Sequence, residues 1–391
     1  MSAVVDVARK APQAGVRVHA NAGARVALLG TGTVGRAVLA RLASWSGTAL
    51  GGRLHLVHVA NSRVAVADTA GVCPAQAGIA LGAASVAAAG VPFAATVNVR
   101  PLASAPSSLD AVAIALGMSG PRIVIDATAS EAVATRHAAW LKQGIHVVTA
   151  CKLGQGTSLH RWREIRAACA ERNARYGDSA TVGAGLPLLR SLRELQEGGD
   201  RIQSIAGVLS GSLAWLFNHY DGMRPFSALV RQARDAGYTE PDPRDDLSGE
   251  DVRRKIVILA RAAGVELESQ DVEVTSLVPP ELAALPKDAI DAALPALDAS
   301  LRQRFAAAYK NGEKLRFIAR FERNAQGEAK ARVGLESLPG EHPLAGGAGT
   351  DNKVAIWSDR YRTQPLVIQG PGAGAEVTAA GLLDDALRVL R

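Results

Sequence analysis

Asp251 and Lys255 stand four residues apart, a spacing that puts a carboxylate and an ammonium on one face of a helix, with Ile256, Leu259 and Ala260 as apolar neighbours. A lysine paired in this way beside an apolar wall can have its pKa adjusted, and proton transfer to a carbonyl oxygen needs such a lysine. The same spacing also describes an ordinary surface ion pair, worth roughly a few tenths of a kcal/mol. The pair ends the densest run of ionisable residues in the chain, Tyr238-Thr239-Glu240-Pro241-Asp242-Pro243-Arg244-Asp245-Asp246-Leu247-Ser248-Gly249-Glu250, which reads as a Pro-stiffened loop running into a helix. Lys152 follows an apolar run ending at Ala150. It is therefore expected at the carboxyl edge of a parallel sheet, where ligands bind in open α/β folds, and there it could orient a carbonyl or a carboxylate. Its neighbour Cys151 reads either as a thiol nucleophile or as a small buried apolar residue. No His lies at an evidently matched position, which favours the second.

Gly30-Thr31-Gly32-Thr33-Val34-Gly35 is a G-x-G-x-x-G turn between an apolar strand and a helical stretch. In that setting the first Gly permits the sharp turn, the second lets backbone approach a pyrophosphate, and the third permits close helix-to-strand packing. A Gly-rich turn of no special purpose is the bland alternative. A site preferring NAD would place an acidic residue about 20 residues beyond the glycines. Here the second strand ends in Asn61-Ser62-Arg63, with no carboxylate before Asp68. A hydroxyl and a guanidinium suit a 2′-phosphate, so NADP is preferred and NAD stays possible, although a solvated Arg63 without this role is the rival reading. Val182-Gly183-Ala184-Gly185-Leu186-Pro187 and Gly370-Pro371-Gly372-Ala373-Gly374 are loops where backbone can come close to a ligand, or mere turns.

The elements that must position these residues follow from apolar periodicity. The runs Val26–Leu29, Leu54–Val59, Ala95–Val99, Ile123–Ala127 and His146–Ala150 alternate with helical stretches such as Val34–Ser44, the pattern of a parallel sheet covered by helices. The Ala- and Gly-rich segment 64–107 reads as helix and loop. Beyond about residue 175 the pattern becomes mixed: strands Ile202–Leu209, Val272–Leu277, Leu315–Phe321 and Ala331–Leu335 with helices over Pro225–Gly237 and Gly249–Gly264. The expected fold is α/β: a Rossmann-type dinucleotide-binding domain at 22–175, an α+β substrate and dimerisation domain at 176–345, and a segment 346–391 that returns to the first domain.

The 391 residues, 48% hydrophobic and 21% charged, suit a two-domain globular chain with a large core. A net charge of +7 with no run of basic residues fits an anionic ligand and argues against a nucleic-acid groove. Cys73, Cys151 and Cys169 have no metal or disulfide spacing, and no uncharged apolar run is long enough to span a bilayer. The location expected is cytoplasmic, with no membrane partner and the first twenty or so residues as a loose tail.

The stretch Gly207-Val208-Leu209-Ser210-Gly211-Ser212-Leu213-Ala214-Trp215-Leu216-Phe217, followed by Gly237 to Gly249, resembles the signature of homoserine dehydrogenases. The likeness is greatest to the dehydrogenase half of bifunctional aspartokinase–homoserine dehydrogenases, and runs from Gly30 to Gly381. It implies NAD(P)-dependent interconversion of L-homoserine and L-aspartate 4-semialdehyde, in threonine, methionine and isoleucine biosynthesis, usually by a homodimer. Carried over, Lys255 is the catalytic proton donor, Asp251 its orienting partner, and Lys152 a second lysine at the reacting oxygen. Glu240 and Asp246 become substrate-site carboxylates, with Gly207 and Tyr238 beside them, and Thr128 and Gly374 join the glycine turn and Asn61–Arg63 around the cofactor. Family members hold a monovalent cation on the loop corresponding to Ser179, Val182, Ala184 and Leu186, where many have an acidic residue at position 179. Ser179 here, with Asp178 one step earlier, leaves that cation open. The chain stops soon after 390, so neither a kinase domain nor an ACT domain, with its threonine feedback, is expected. Two rivals stay in view: a phosphorylating semialdehyde dehydrogenase using Cys151, and an NADP-sensing scaffold without chemistry.

Overall fold

The computed structural model describes residues 23–81, 102–324 and 326–391, in which two sheets carry the helices. The strand expected over 95–99 and the loose tail expected at the start lie outside the described residues.

The first sheet is built on β1 (Ala24–Leu29), β2 (Leu54–Ala60), β3 (Val64–Ala67), β4 (Ser104–Pro106), β5 (Arg122–Asp126), β6 (His146–Thr149) and β7 (Tyr176–Gly177), in the order β4-β3-β2-β1-β5-β6-β7. β2, β1, β5, β6 and β7 run parallel, while β3 and β4 turn back antiparallel at one edge. β1 shows why the strand is apolar throughout: Val26 and Leu28 face one core, Ala27 and Leu29 the other, so both faces are covered. Helix α1 (Thr33–Ser44) and the closing helix of the chain cover the first face, α2 (Pro74–Ala80) joining them. Helices α3 (Asp110–Leu116), α4 (Glu131–Lys142) and α5 (Leu159–Arg172) cover the second.

The second sheet is formed by β8 (Ile202–Val208), β9 (Glu273–Val274), β10 (Glu313–Arg323), β11 (Ala329–Pro339), β12 (Asn352–Ser358) and β13 (Leu366–Gly370), ordered β13-β12-β8-β10-β11-β9. It is antiparallel apart from the short β11–β9 pair. Around it lie α6 (Leu188–Glu197), α7 (Gly211–His219), α8 (Phe226–Asp235), α9 (Pro243–Leu247), α10 (Glu250–Ala262), the single turns α11 (Pro280–Ala283) and α12 (Ile290–Ala293), and α13 (Asp298–Lys310). The chain closes with α14 (Ala375–Arg388).

Several expectations need correction. The described residues of segment 64–107 hold two short antiparallel strands and a helix, because the outer edge of the sheet reverses direction there. The strand expected over Val272–Leu277 shrinks to two paired residues. β7 pairs with β6, so the first unit runs past residue 175. Of segment 346–391 only α14 returns to the first sheet, packing Ala379, Leu382, Leu383 and Ala386 among Ala37, Val38 and Leu39 of α1. β12 and β13 belong to the second sheet, where β12 takes its hydrogen bonds from β8.

Candidate active site

The carboxyl edge of the first sheet and the start of α10 meet at one carboxylate. Gly249 begins α10 in the left-handed region at φ +79°, and a Cβ there would lie 2.9 Å from the Phe317 ring, so only glycine makes this entry. Two residues on, in the first turn, Asp251 accepts from Lys255 Nζ at 2.8 Å through Oδ2 and from Lys152 Nζ at 3.2 Å through Oδ1. Lys255 Nζ also donates to the Leu209 carbonyl at 2.7 Å, and its side chain is 12% exposed. With three N–H groups on an ammonium, one of Lys255's is left for a substrate oxygen. Burial and the neighbouring Lys152 push the Lys255 ammonium below the ordinary lysine value, against the pull of Asp251. Burial works to raise the Asp251 carboxyl, but Lys255 and Lys152 outweigh it and hold it below the usual carboxylate range.

Asp246, at the end of α9, accepts from Ser212 Oγ at 2.7 Å and from the Glu240 backbone N–H at 2.8 Å. Burial raises its carboxyl above the ordinary value, against these two donors. Asp242 caps α9 by accepting from the Arg244 N–H, with Pro243 as the first helical residue, and this rigid turn sets the spacing between Asp246 and the loop before it. The Glu240 residue is exposed, and the Tyr238 ring lies 5.2 Å from that of Trp215. Gly207 sits inside β8, where an added Cβ would lie 3.1 Å from Val354 and 3.2 Å from Leu209; the group that meets the lysine is the carbonyl of Leu209, one residue past the strand. Sequence spacing did not point to Leu209, Ser212 or Asn352, which join the site across the second sheet. Asn352 Nδ2 reaches the same Leu209 carbonyl at 3.4 Å.

At the other end, Gly30 turns at φ +96° with the Ala127 carbonyl 2.7 Å from where a Cβ would be, and a Cβ on Gly35 would sit 1.9 Å from the Gly30 carbonyl oxygen. Among the described residues no atom beyond Gly32's own neighbours lies within 4 Å of such a Cβ on Gly32, which starts α1 without a side-chain cap. Open space beside uncapped helical N–H groups, including those of Thr33, Val34 and Gly35, suits a pyrophosphate. Thr31 precedes this space, and the Thr128 methyl faces Gly30. Asn61 turns its Oδ1 inward, accepting from the N–H groups of Arg63 and Val64 at 2.8 and 2.9 Å, which leaves Ser62 and Arg63 exposed past β2. Gly374 begins α14 at φ +121°, again without a side-chain cap.

A family model described as homoserine dehydrogenase matches residues 187–387, and one described as homoserine dehydrogenase, NAD binding domain, matches residues 30–177. This chain belongs to the homoserine dehydrogenase family. A homoserine dehydrogenase of Emericella nidulans is 40% identical over 282 residues, 69% of this chain and 76% of that protein. The bifunctional chloroplastic aspartokinase/homoserine dehydrogenase 2 of Zea mays is 44% identical over 270 residues, 68% of this chain but 29% of its own length. This chain therefore spans under a third of the bifunctional relatives it matches. A crystal structure of a Candida auris protein of unknown function superposes with a TM-score of 0.82 at 33% identity, covering 94% of this chain and 98% of that one.

Two readings of the sequence, Cys151 as a nucleophile and a cation on the Ser179–Leu186 loop, meet this geometry. Cys151 is buried, and burial together with the Asp126 charge pushes its thiol up to about 11, so it is a poor nucleophile at neutral pH. The expected cation loop is poorly furnished: the Ser179 hydroxyl is donated to Asp385 at 2.9 Å, and the Leu186 carbonyl accepts from the Leu188 N–H at 2.8 Å. Asp178 keeps one buried oxygen without a partner, but Arg193 at 2.7 Å already balances its charge. The Ser179 hydroxyl is thus committed to Asp385 and is not free to join the Val182, Ala184 and Leu186 carbonyls around a cation, and no chemistry is routed through one. Among the described residues no cluster of His, Cys, Asp and Glu is placed to hold a metal ion, and no helix is long and apolar enough to cross a membrane.

Arg63→Ala is expected to cut the preference for NADP over NAD, measured as the ratio of kcat/KM values, by roughly tenfold to a hundredfold, the worth of one charge-assisted contact to phosphate. An unchanged ratio would assign Arg63 to solvent.

Proposed function

We propose that this chain catalyses the NAD(P)-dependent interconversion of L-homoserine and L-aspartate 4-semialdehyde, with NADP preferred, as a cytoplasmic homodimer in amino-acid biosynthesis. The observation that carries the reading is the convergence of Lys255 and Lys152 on Asp251 at the carboxyl edge of the sheet that bears the glycine turn. Free Cys73, Cys151 and Cys169 accord with a reducing compartment.

Gly30–Gly35, Ser62, Arg63, Thr128 and Gly374 would hold the dinucleotide, which when bound supplies the hydride or accepts it. As the neutral amine, with its two N–H groups on Asp251 and Leu209, Lys255 takes the alcohol proton of homoserine on its lone pair; as the ammonium it returns that third proton to the aldehyde oxygen. Asp251 holds both lysines at fixed positions, and Lys152 places a second positive charge by the oxygen on which negative charge develops. Glu240 anchors the substrate ammonium, in a loop that Asp246 ties down through the Glu240 N–H.

The pH dependence follows from the lowered Lys255. Homoserine oxidation needs the neutral amine, so its rate climbs as pH rises through that pKa. Semialdehyde reduction needs the ammonium, so its rate holds below that pKa and falls above it. Lys152 is one cause of the lowering, so in Lys152→Gln both limbs should move to higher pH. Profiles of kcat in the two directions check this, and limbs that stay in place would assign them to another group.

The direct test is absorbance of the reduced nicotinamide when the protein meets L-homoserine with NADP, and separately with NAD. Growth of the signal with homoserine but not with serine or threonine supports the reading, and light scattering decides the dimer. A folded protein without homoserine-dependent reduction of either cofactor would overturn it.

A further inference from the structure

A run of buried polar groups lies between the strand ends and the loop that carries Lys152. Asp126 ends β5, and its carboxylate is fully buried. Oδ1 accepts from the Thr128 N–H at 2.9 Å and from Thr128 Oγ1 at 2.7 Å. Oδ2 accepts from Thr149 Oγ1 at 3.1 Å and lies 3.0 Å from His137 Nε2. The other ring nitrogen of His137, Nδ1, lies 2.9 Å from the Tyr176 hydroxyl. His137 and Thr149 are as buried as Asp126. Burial, with the Asp178 and Asp126 charges, raises the Tyr176 phenol well above its ordinary value. The hydroxyl therefore keeps its proton and donates to Nδ1, which leaves Nε2–H to donate to Asp126.

The network touches the Lys152 loop twice. Thr149 Oγ1 accepts from the Cys151 N–H at 2.8 Å, one residue before Lys152. The Tyr176 hydroxyl and His137 ring press on Gly154, where a Cβ would lie 2.3 Å from the hydroxyl oxygen and 3.1 Å from Nδ1. Beyond the loop, Thr128 carries the same network to the floor of the glycine turn at Gly30. Four donors on one buried carboxylate, two of them from Thr128 and one each from Thr149 and His137, cost conformational freedom at three places, and a core needing only stability meets this demand with apolar side chains.

We propose that Asp126, His137 and Tyr176 form a positioning network that fixes the Lys152 loop, and with it the Lys152 ammonium on Asp251, relative to the cofactor turn. The role rests on the functional reading above, in which Lys152 stands at the reacting oxygen. None of the three touches the reacting atoms; they act through the backbone of Cys151 and Gly154. A displacement of about 1 Å in a group at the reacting centre is enough to cost as much as a hundredfold in rate.

The test compares Tyr176→Phe, His137→Phe and His137→Gln with the parent protein. Tyr176→Phe removes one hydroxyl from an otherwise unchanged ring. His137→Gln keeps a donor and an acceptor in place of the two ring nitrogens, whereas His137→Phe keeps neither. The expected result is a kcat lower by about tenfold or more in His137→Phe and by roughly threefold to tenfold in Tyr176→Phe. KM for homoserine and Kd for NADPH should stay near parental values, and His137→Gln should recover most of the loss. A second readout needs no turnover: acetylation of Lys152 by acetic anhydride, followed by peptide mass spectrometry, should be several-fold faster in Tyr176→Phe. Parental kcat and parental Lys152 labelling in folded Tyr176→Phe would overturn the proposal, as would a loss confined to KM or Kd, or a His137→Gln no better than His137→Phe. If His137→Phe does not fold, Tyr176→Phe decides alone. If the parent itself shows no homoserine-dependent turnover, the functional reading fails and the labelling ratio still judges the network.

Discussion

Lys255→Met should lower kcat for homoserine oxidation by about a hundredfold to ten-thousandfold, the range over which a positioned acid or base contributes. The substitution keeps the apolar stem of the side chain and removes the amine that is held by both Asp251 and Leu209 with one N–H left for substrate. KM for homoserine should change little, because the substrate ammonium is assigned to Glu240. Asp251 keeps Lys152 at 3.2 Å and a side chain 44% exposed, so it is not stranded as a buried charge and the unfolding temperature should hold near the parental value. Lys255→Arg should not rescue the rate, because a guanidinium does not give up its proton near neutral pH. Steady-state kinetics and thermal unfolding of both variants measure this, and a Lys255→Met protein with turnover near the parental rate would falsify the proton-transfer role.

Gly35→Ala and Gly32→Ala should separate packing from ligand binding within one turn. A Cβ on Gly35 would lie 1.9 Å from the Gly30 carbonyl oxygen, and backbone on both sides leaves no flexible end to give way. The turn must open, at a cost of about 1–3 kcal/mol or more in stability, and NADPH affinity should fall by roughly a hundredfold or more as the helical N–H groups move off target. Gly32 has φ −71° and, among the described residues, nothing within 4 Å of an added Cβ, so Gly32→Ala should unfold at the parental temperature. Its methyl would nonetheless occupy the space where backbone approaches the pyrophosphate, so NADPH affinity should drop by about tenfold or more. Nucleotide fluorescence titration with thermal unfolding reads both effects. Parental NADPH affinity in Gly32→Ala would mean that the dinucleotide does not approach this turn.

Both predictions involve residues that short-range pattern singled out. The glycine turn, the helix that follows it, the doubly covered apolar strand β1 and the Asp251/Lys255 pair are each defined within a dozen residues. Within that distance helical periodicity, strand alternation and the steric demands of glycine operate directly. The resemblance added roles, but it added them to residues whose chemistry was already legible.

Other features were legible to neither spacing nor composition. β12 was not distinguished from the end of the chain, because what makes it a strand is its pairing with β8, a segment far away in sequence. For the same reason the segment 346–391 divides between two sheets, and only α14 finds its apolar partners on α1. Lys152 could be placed at a sheet edge, but its contact with Asp251 depends on how the two sheet units meet.

The sequence by itself determined the two classes of element, the cofactor turn and the i,i+4 acid–base pair, because these rest on local sterics and periodicity. Only the tertiary structure decided that Lys152 joins that pair, that the Leu209 carbonyl takes one of Lys255's protons, that Asp385 claims the Ser179 hydroxyl, and that Asp126, His137 and Tyr176 lock together under the Lys152 loop. All of these contacts except Asp126 to His137 join residues distant along the chain. Whether such groups meet depends on the packing and desolvation of the whole core around them, which no window of sequence contains.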